Sequence, residues 1–392
     1  MRRNVRWLTC FGFMCCFFLQ FLILGSLSAA EEKVDLEEIT IAQLNRHYRE
    51  GNLTVEQAVS WYLERIKSMD QSGPKLNSII TVNPDALVIA RKMDLEIAAG
   101  RWIGPLHGVP VILKDNIDTG DRMPTTAGSR ALKNSIAKAD SAVAEKLRRA
   151  GAVIIAKANL SEWANFRSSF SSSGWSGVGW QTRNPYDLDR NPCGSSSGSG
   201  VAVSANLCTV AVGTETNGSI VCPSNNNGIV GIKPTVGLIS RRGIVPISFS
   251  QDTAGPMART VADAATLLQI LAGVDPADEK TLTSKKYIPD DFRSFLKKDG
   301  LRGKRIGLVR PLMGYHYRVD ALMDKTVERL KEAGAEVVEI GDFIGRGYED
   351  ASFQVLLYEF KDGLNRYLAG LDETASIQSL AELIEFNKRD GV

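Results

Sequence analysis

The chain has 392 residues, 44% hydrophobic and 23% charged, with a formal net charge of +2. At roughly 100–200 residues per domain this is one large α/β domain or two ordinary ones, and the composition excludes a disordered tail, a collagen, a coiled coil and a polytopic membrane protein. Arg2, Arg3 and Arg6 are three of the 47 basic residues, so the body after residue 30 sets 44 basic against 45 acidic side chains and has no electrostatic footprint for nucleic acid.

Those arginines precede an uncharged apolar run from Trp7 to Leu24, followed by the small residues Gly25, Ser26, Ser28, Ala29 and Ala30. A basic start, an apolar stretch and a small-x-small end describe a secretory signal peptide over residues 1–30, cut after Ala30. The alternative is an uncleaved anchor, since the apolar run is about long enough to cross a bilayer. The expected location is the secretory pathway or the exterior, with residues 31–392 as a single domain. Asn52-Leu-Thr54 and Asn159-Leu-Ser161 are glycosylation sequons, usable only where exposed.

Thr40 with Gln43, and Thr54 with Gln57, are capping-box pairs. The second opens an amphipathic helix carrying Val55, Ala58, Val59, Tyr62, Leu63 and Ile66 on one face. Residues 85–99 read as a helix stopped at Gly100, and 109–113 as a short buried strand delivering Lys114. Residues 141–150 read as a helix and 152–156 as a strand. A strand–helix–strand set recurs at 305–309, 321–333 and 335–340. This alternation predicts an α/β fold, a mixed, mostly parallel central sheet covered by helices on both faces. Residues 271–300, with Pro276 and Pro289, read as a linker or an excursion.

After the leader, Cys193, Cys208 and Cys222 allow at most one disulfide, and the sequence does not choose between a pair and buried free thiols. The three histidines, His47, His107 and His316, share no metal-ligand spacing.

Twelve of the 35 glycines fall between Gly174 and Gly243, and the chemistry is concentrated there and just before. Gly108-Val-Pro-Val-Ile-Leu-Lys114-Asp115 brings a lysine to the end of an apolar strand. Gly194-Ser-Ser-Ser-Gly-Ser-Gly200 runs straight into a small apolar stretch, as a backbone-donor loop at a helix start does. Gly213-Thr-Glu-Thr-Asn-Gly-Ser219 places a serine after an Asn-Gly turn that can aim several N–H groups at one point. Gly194 to Gly198 also satisfies G-x-S-x-G around Ser196, but that class needs a later histidine, and His316 has no signature around it.

Taken together, these segments resemble the amidase signature family. Its lysine stretch reads G-V-P-V-I-L-K-D at 108–115, its serine loop C-G-S-S-S-G-S at 193–199, and its nucleophile segment G-T-E-T-N-G-S-I at 213–220. The likeness covers roughly residues 36–345, and the wording of the middle is nearest to peptide amidase-like members. The resemblance implies the family fold and an amide hydrolase. Ser219 matches the acylated nucleophile, Ser195 the serine held on a cis peptide bond, Lys114 the base and Ser196 a supporting serine. Backbone N–H groups of Thr216, Asn217, Gly218 and Ser219 match the oxyanion donors. The implied partner is a small-molecule or peptide amide, with no cofactor and no metal. Asn217 makes an Asn-Gly-Ser sequon with the nucleophile, read as buried and accidental. Family members typically continue for about another hundred residues with strands that return to the sheet, and the expectation is that this chain lacks them. The alternatives are a non-catalytic relative of the same fold and an amidotransferase component.

Overall fold

Two threonines set how the chain enters its first helices. Thr40 and Thr54 each accept from the backbone N–H three residues on, and Gln43 and Gln57 reach back, so both capping boxes form ahead of α1 (Ile41–Glu50) and α2 (Val55–Arg65). Val55, Ala58, Val59 and Tyr62 of α2 are buried, with Ile66 just beyond it, while Leu63 is only half-buried. The computed structural model describes residues 34–341, 348–373 and 375–390. The segment read as a signal peptide, residues 1–30, lies outside them. From Leu36 onward the described residues belong to one compact unit.

A six-stranded sheet runs through the centre in the order β1-β3-β2-β4-β6-β5. Its strands are β1 (Ile79–Val82), β2 (Pro110–Lys114), β3 (Val153–Ala158), β4 (Val210–Glu215), β5 (Val230–Gly231) and β6 (Thr253–Ala258). Every residue of β2, β3, β4 and β6 is buried, which is why these strands read as near-continuous runs of apolar or small residues rather than as alternation. β2 pairs in parallel with β3 and β4. The flanks differ: β1 runs antiparallel to β3, and β6 antiparallel to β4 and β5. The expectation of a mostly parallel sheet therefore holds for the three central strands only. Helices α2, α3 (Ala86–Ala98), α4 (Ala142–Arg149), α5 (Ser197–Ser204) and α7 (Val261–Leu271) pack against it, and the short α6 (Val221–Asn226) packs on α5 and β5.

The late strand–helix–strand set forms as β7 (Arg305–Val309), α8 (Tyr317–Glu332) and β8 (Glu336–Ile340), but β7 and β8 pair only with each other among the described residues. None of their ten residues is buried, so they lack the two-sided cover that a strand of the central sheet has. Within residues 271–300, Asp275 and Asp278 pair with Arg242 and Arg241, and Thr281 and Ser284 are buried, while 293–300 are exposed. Helix α9 (Tyr348–Ala369) and α10 (Leu380–Asp390) then return to the body. Leu364, Leu368 and Leu383 join Ala131, Trp163 and Val245 in one apolar cluster. Among the described residues no helix is long and apolar enough to cross a membrane.

Candidate active site

Lys114 ends the buried strand β2 and is itself fully buried. Its Nζ lies 2.8 Å from Ser195 Oγ, 2.8 Å from Thr214 Oγ1 and 3.1 Å from the Thr214 carbonyl oxygen. Burial pushes the ammonium down to about 7, against the carboxylates of Asp252 and Glu215, which favour the charged form. Three oxygen neighbours can accept all three N–H groups of the ammonium, whereas the neutral amine meets them with two N–H groups and a lone pair. Two N–H groups serve Thr214, whose carbonyl can only accept, and the lone pair is left for the Ser195 hydroxyl.

The Gly194–Ser195 peptide bond is cis. Ser195 is fully buried, and its carbonyl accepts from Ser161 N at 3.1 Å. The loop runs directly into α5, and no residue larger than glycine fits at 198, where a Cβ would lie 2.2 Å from Ser78 O and 2.5 Å from Asn159 O. Ser196 joins the two serine segments. Its Oγ donates to the Thr214 carbonyl at 3.0 Å and accepts from Thr214 N at 3.2 Å, while its own N–H donates to the Ser219 carbonyl at 3.1 Å. A disulfide between Cys193 and Cys222 closes the same junction, with Cα atoms 5.9 Å apart, and Cys208 is free and buried. The choice that the sequence left open is thus a pair and one buried free thiol, and apolar sequence around Cys222 did not reveal that α6 starts beside the serine loop.

Ser219 is 6% exposed and, with Ser195, Thr214 and Thr216, lines a cavity of about 660 Å³. Gly218 takes φ +83°, the left-handed region that glycine enters without strain, to turn the chain into α6. Of the four N–H groups expected to hold an oxyanion, one is spoken for. Gly218 N donates to Glu215 Oε1 at 2.9 Å, and Ile220 N and Val221 N donate to Oε2 at 2.6 and 3.0 Å. The carboxylate at the end of β4 thus fixes the turn and takes Gly218 out of the donor set. Among the described residues the N–H groups of Asn217 and Ser219 have no protein acceptor. Asn217 is exposed, which corrects its reading as buried. Asn52 is exposed too, whereas Asn159 is buried and its Nδ2 donates to Asn77 O, Trp180 O and Thr182 Oγ1. The G-x-S-x-G match has no histidine to serve it, since His316 is exposed and caps α8.

The model of the Amidase family matches residues 57–392. The chain belongs to the amidase signature family. A crystal structure of native peptide amidase from Stenotrophomonas maltophilia is 50% identical and superposes with a TM-score of 0.86, over 90% of this chain and 72% of that one. An Arabidopsis thaliana protein named a probable amidase is 43% identical over 382 residues, 94% of this chain and 72% of its own length. A glutamyl-tRNA(Gln) amidotransferase component of Acaryochloris marina is 42% identical over 278 residues, covering 70% of this chain and 56% of that protein.

Sequence reading of this amidase signature chain missed a second buried lysine. Lys157 of β3, fully buried, donates to Ile117 O at 2.6 Å and Thr125 Oγ1 at 3.1 Å, and lies 3.6 Å from Asp115. Asp115 also accepts from Thr126 N and Oγ1, and burial raises its pKa despite Lys157. Burial raises Asp118 to about 6, opposed by Lys157 and by Tyr367, whose hydroxyl donates to it at 2.9 Å. Lys157 was legible as a charge inside an apolar strand, Val153-Ile-Ile-Ala-Lys-Ala158. Tyr367 had no local signal, because 249 residues separate it from Asp118.

Proposed function

We propose that this chain hydrolyses a carboxylic or peptide amide through an acyl-enzyme on Ser219, with Lys114 as base and Ser195 as the relay between them. The observation that carries the reading is the contact of a buried, readily neutral Lys114 with Ser195. A serine hydroxyl is a poor nucleophile without a base, and a lysine can serve as one only when neutral. In this reading Ser195 gives its proton to Lys114 Nζ and takes that of Ser219 as Ser219 Oγ bonds to the amide carbon. The proton then returns through Ser195 to the departing nitrogen as the C–N bond breaks, because an amine anion cannot leave. Water attacks the ester, the carboxylate departs and the Ser219 hydroxyl is restored. Asn217 and Ser219 N–H groups, with Thr216 beside them, are the donors available to the oxyanion. This chemistry uses no cofactor.

The likeness to the Stenotrophomonas enzyme favours peptide amides as substrates. The basic-then-apolar N-terminus and the Cys193–Cys222 disulfide support an oxidising, secretory location, with residues 31–392 as the catalytic domain. The test is release of ammonia from peptide amides by the wild type and by Lys114→Ala, Ser195→Ala and Ser219→Ala. Each variant is expected to stay folded and to lose about 10³-fold or more in kcat; near wild-type turnover by Lys114→Ala would overturn the mechanism. The likeness to amidotransferase components favours a second reading, glutamine deamidation within a complex. Turnover of peptide amides by the isolated chain argues against it.

A further inference from the structure

Two carboxylates grip the turn that carries Ser219. Glu215 holds its far side through the N–H groups of Gly218, Ile220 and Val221. The near side is Thr216, and its hydroxyl is held from another strand. β4 and β6 pair antiparallel, and the final pair of that ladder is Glu215 with Thr253. The next residues outward are Thr216 and Asp252. Directly opposite residues of an antiparallel pair put their side chains on one face, and here Thr216 Oγ1 donates to Asp252 Oδ1. Between the two anchors, the N–H groups of Asn217 and Ser219 are left without a protein acceptor among the described residues.

The second oxygen of Asp252 holds something else. Oδ2 accepts from Ile247 N at 2.8 Å and from Ser248 N at 2.9 Å. These residues begin a short loop closed by the Ser248 carbonyl, which accepts from Gln251 N and Asp252 N. Glu359 of α9 holds the same loop, accepting from the hydroxyls of Ser248 and Ser250 and from Ser250 N. Thr216, Ser219, Ile247, Phe249 and Asp252 all line the one cavity. Both Asp252 oxygens are occupied by protein donors, so the carboxylate is a strut between the nucleophile turn and a wall of the cavity. Hydrogen bonds to an ionised carboxylate are short and strong enough to fix such a turn.

We propose that Asp252 is a positioning residue for amide hydrolysis: through Thr216 it holds the donor-bearing turn in register with the cavity wall at 247–249. This rests on the amide-hydrolase reading and deepens it, because donors stabilise an oxyanion only when they are fixed where the charge develops. The strut acts on the transition state and not on substrate binding, so its loss falls on kcat and leaves KM in place.

The test changes Thr216 and leaves Asp252 alone, since the Asp252 charge also favours the ammonium of Lys114 and its removal would disturb the base as well as the turn. Thr216→Val removes the hydroxyl with little change of shape, Thr216→Ala removes it with the branch, and Thr216→Ser keeps it. The full chain is assayed with N-acetyl-alanyl-alaninamide, and thermal melts establish which variants are folded. Both hydroxyl-free variants are expected to lose at least about fivefold in kcat with KM within about twofold of wild type, and Thr216→Ser to recover the kcat. A folded hydroxyl-free variant with a smaller loss, a loss carried by KM, or a Thr216→Ser protein as impaired as Thr216→Val would overturn the assignment. Should Thr216→Val not fold, Thr216→Ala against Thr216→Ser decides the same point. A role confined to folding would lower the melting temperature and leave kcat unchanged. A wild type that turns over no amide fails the underlying reading and this assignment with it, whereas variants as active as an active wild type fail the assignment alone.

Discussion

In the proposed mechanism Lys114 meets two opposed demands. To act as a base it must be neutral, and full burial favours that by holding its pKa near 7. The activity should therefore rise about tenfold per pH unit below pH 7 and level off above it, as kcat/KM against a peptide amide would report. Stability follows the same proton. The folded pKa lies below the unfolded value of 10.5, so the unfolded chain binds more protons between about 7 and 10.5 and stability rises with pH across that window. Below about 7 the buried charge is an undiminished cost. Lys114→Met should thus be inactive yet at least as stable as wild type in thermal melts at pH 6, because replacing a buried charge by an apolar side chain is often neutral or stabilising by about 1–4 kcal/mol. A lower melting temperature there would argue that the bonds to Thr214 outweigh desolvation. The lysine and both serines were legible because each stands in a short local pattern. Lys157 was passed over although it stands as a charge inside an apolar strand, because its partners Ile117, Thr125 and Asp115 are not near it in the sequence.

Elements hold these side chains at one point. β2 delivers Lys114, the end of β4 delivers Thr214 and Glu215, and the starts of α5 and α6 carry Ser195 and Ser219. The Cys193–Cys222 disulfide ties those two starts together within a few residues of both serines. Closing a 29-residue separation constrains the unfolded chain by roughly 3–4 kcal/mol. Cys193→Ser with Cys222→Ser should lower stability by about 2–4 kcal/mol in chemical denaturation and lower kcat more than it raises KM, since what loosens is the spacing of the serines. A variant that loses stability but keeps kcat would confine the disulfide to a structural role. Helices with caps and buried strands were legible element by element. Pairing was not: the same strand–helix–strand texture gives the central sheet around β2 and β3, and a detached two-stranded sheet at β7 and β8. The difference lies in what covers their faces, which periodicity does not record.

On the scale of the whole molecule, the late helices meet the strands that carry the candidate site across a polar seam. Tyr367 of α9 lines the cavity and donates to Asp118, and the charge of Lys157, on the strand that pairs with β2, acts on the same carboxylate. Lys138 adds a second tie, donating to the carbonyls of Gly370 and Leu371. Tyr367→Phe leaves Asp118 one donor short and should cost about 1–3 kcal/mol in unfolding free energy, with KM for peptide amides raised because α9 forms part of the cavity wall. Unchanged stability and KM would mean that α9 is held by its apolar face alone. The layering of helices on a sheet was legible from the sequence, but this seam was not, because it joins residues 249 and 232 apart in the chain. Whether the layers hold the serines in working register is tested most directly by intact mass of the protein after exposure to a fluorophosphonate, beside Ser219→Ala. The account expects one covalent adduct on the wild type and none on the variant. A folded wild-type protein that takes no adduct, or a Ser219→Ala protein that still takes one, would contradict it.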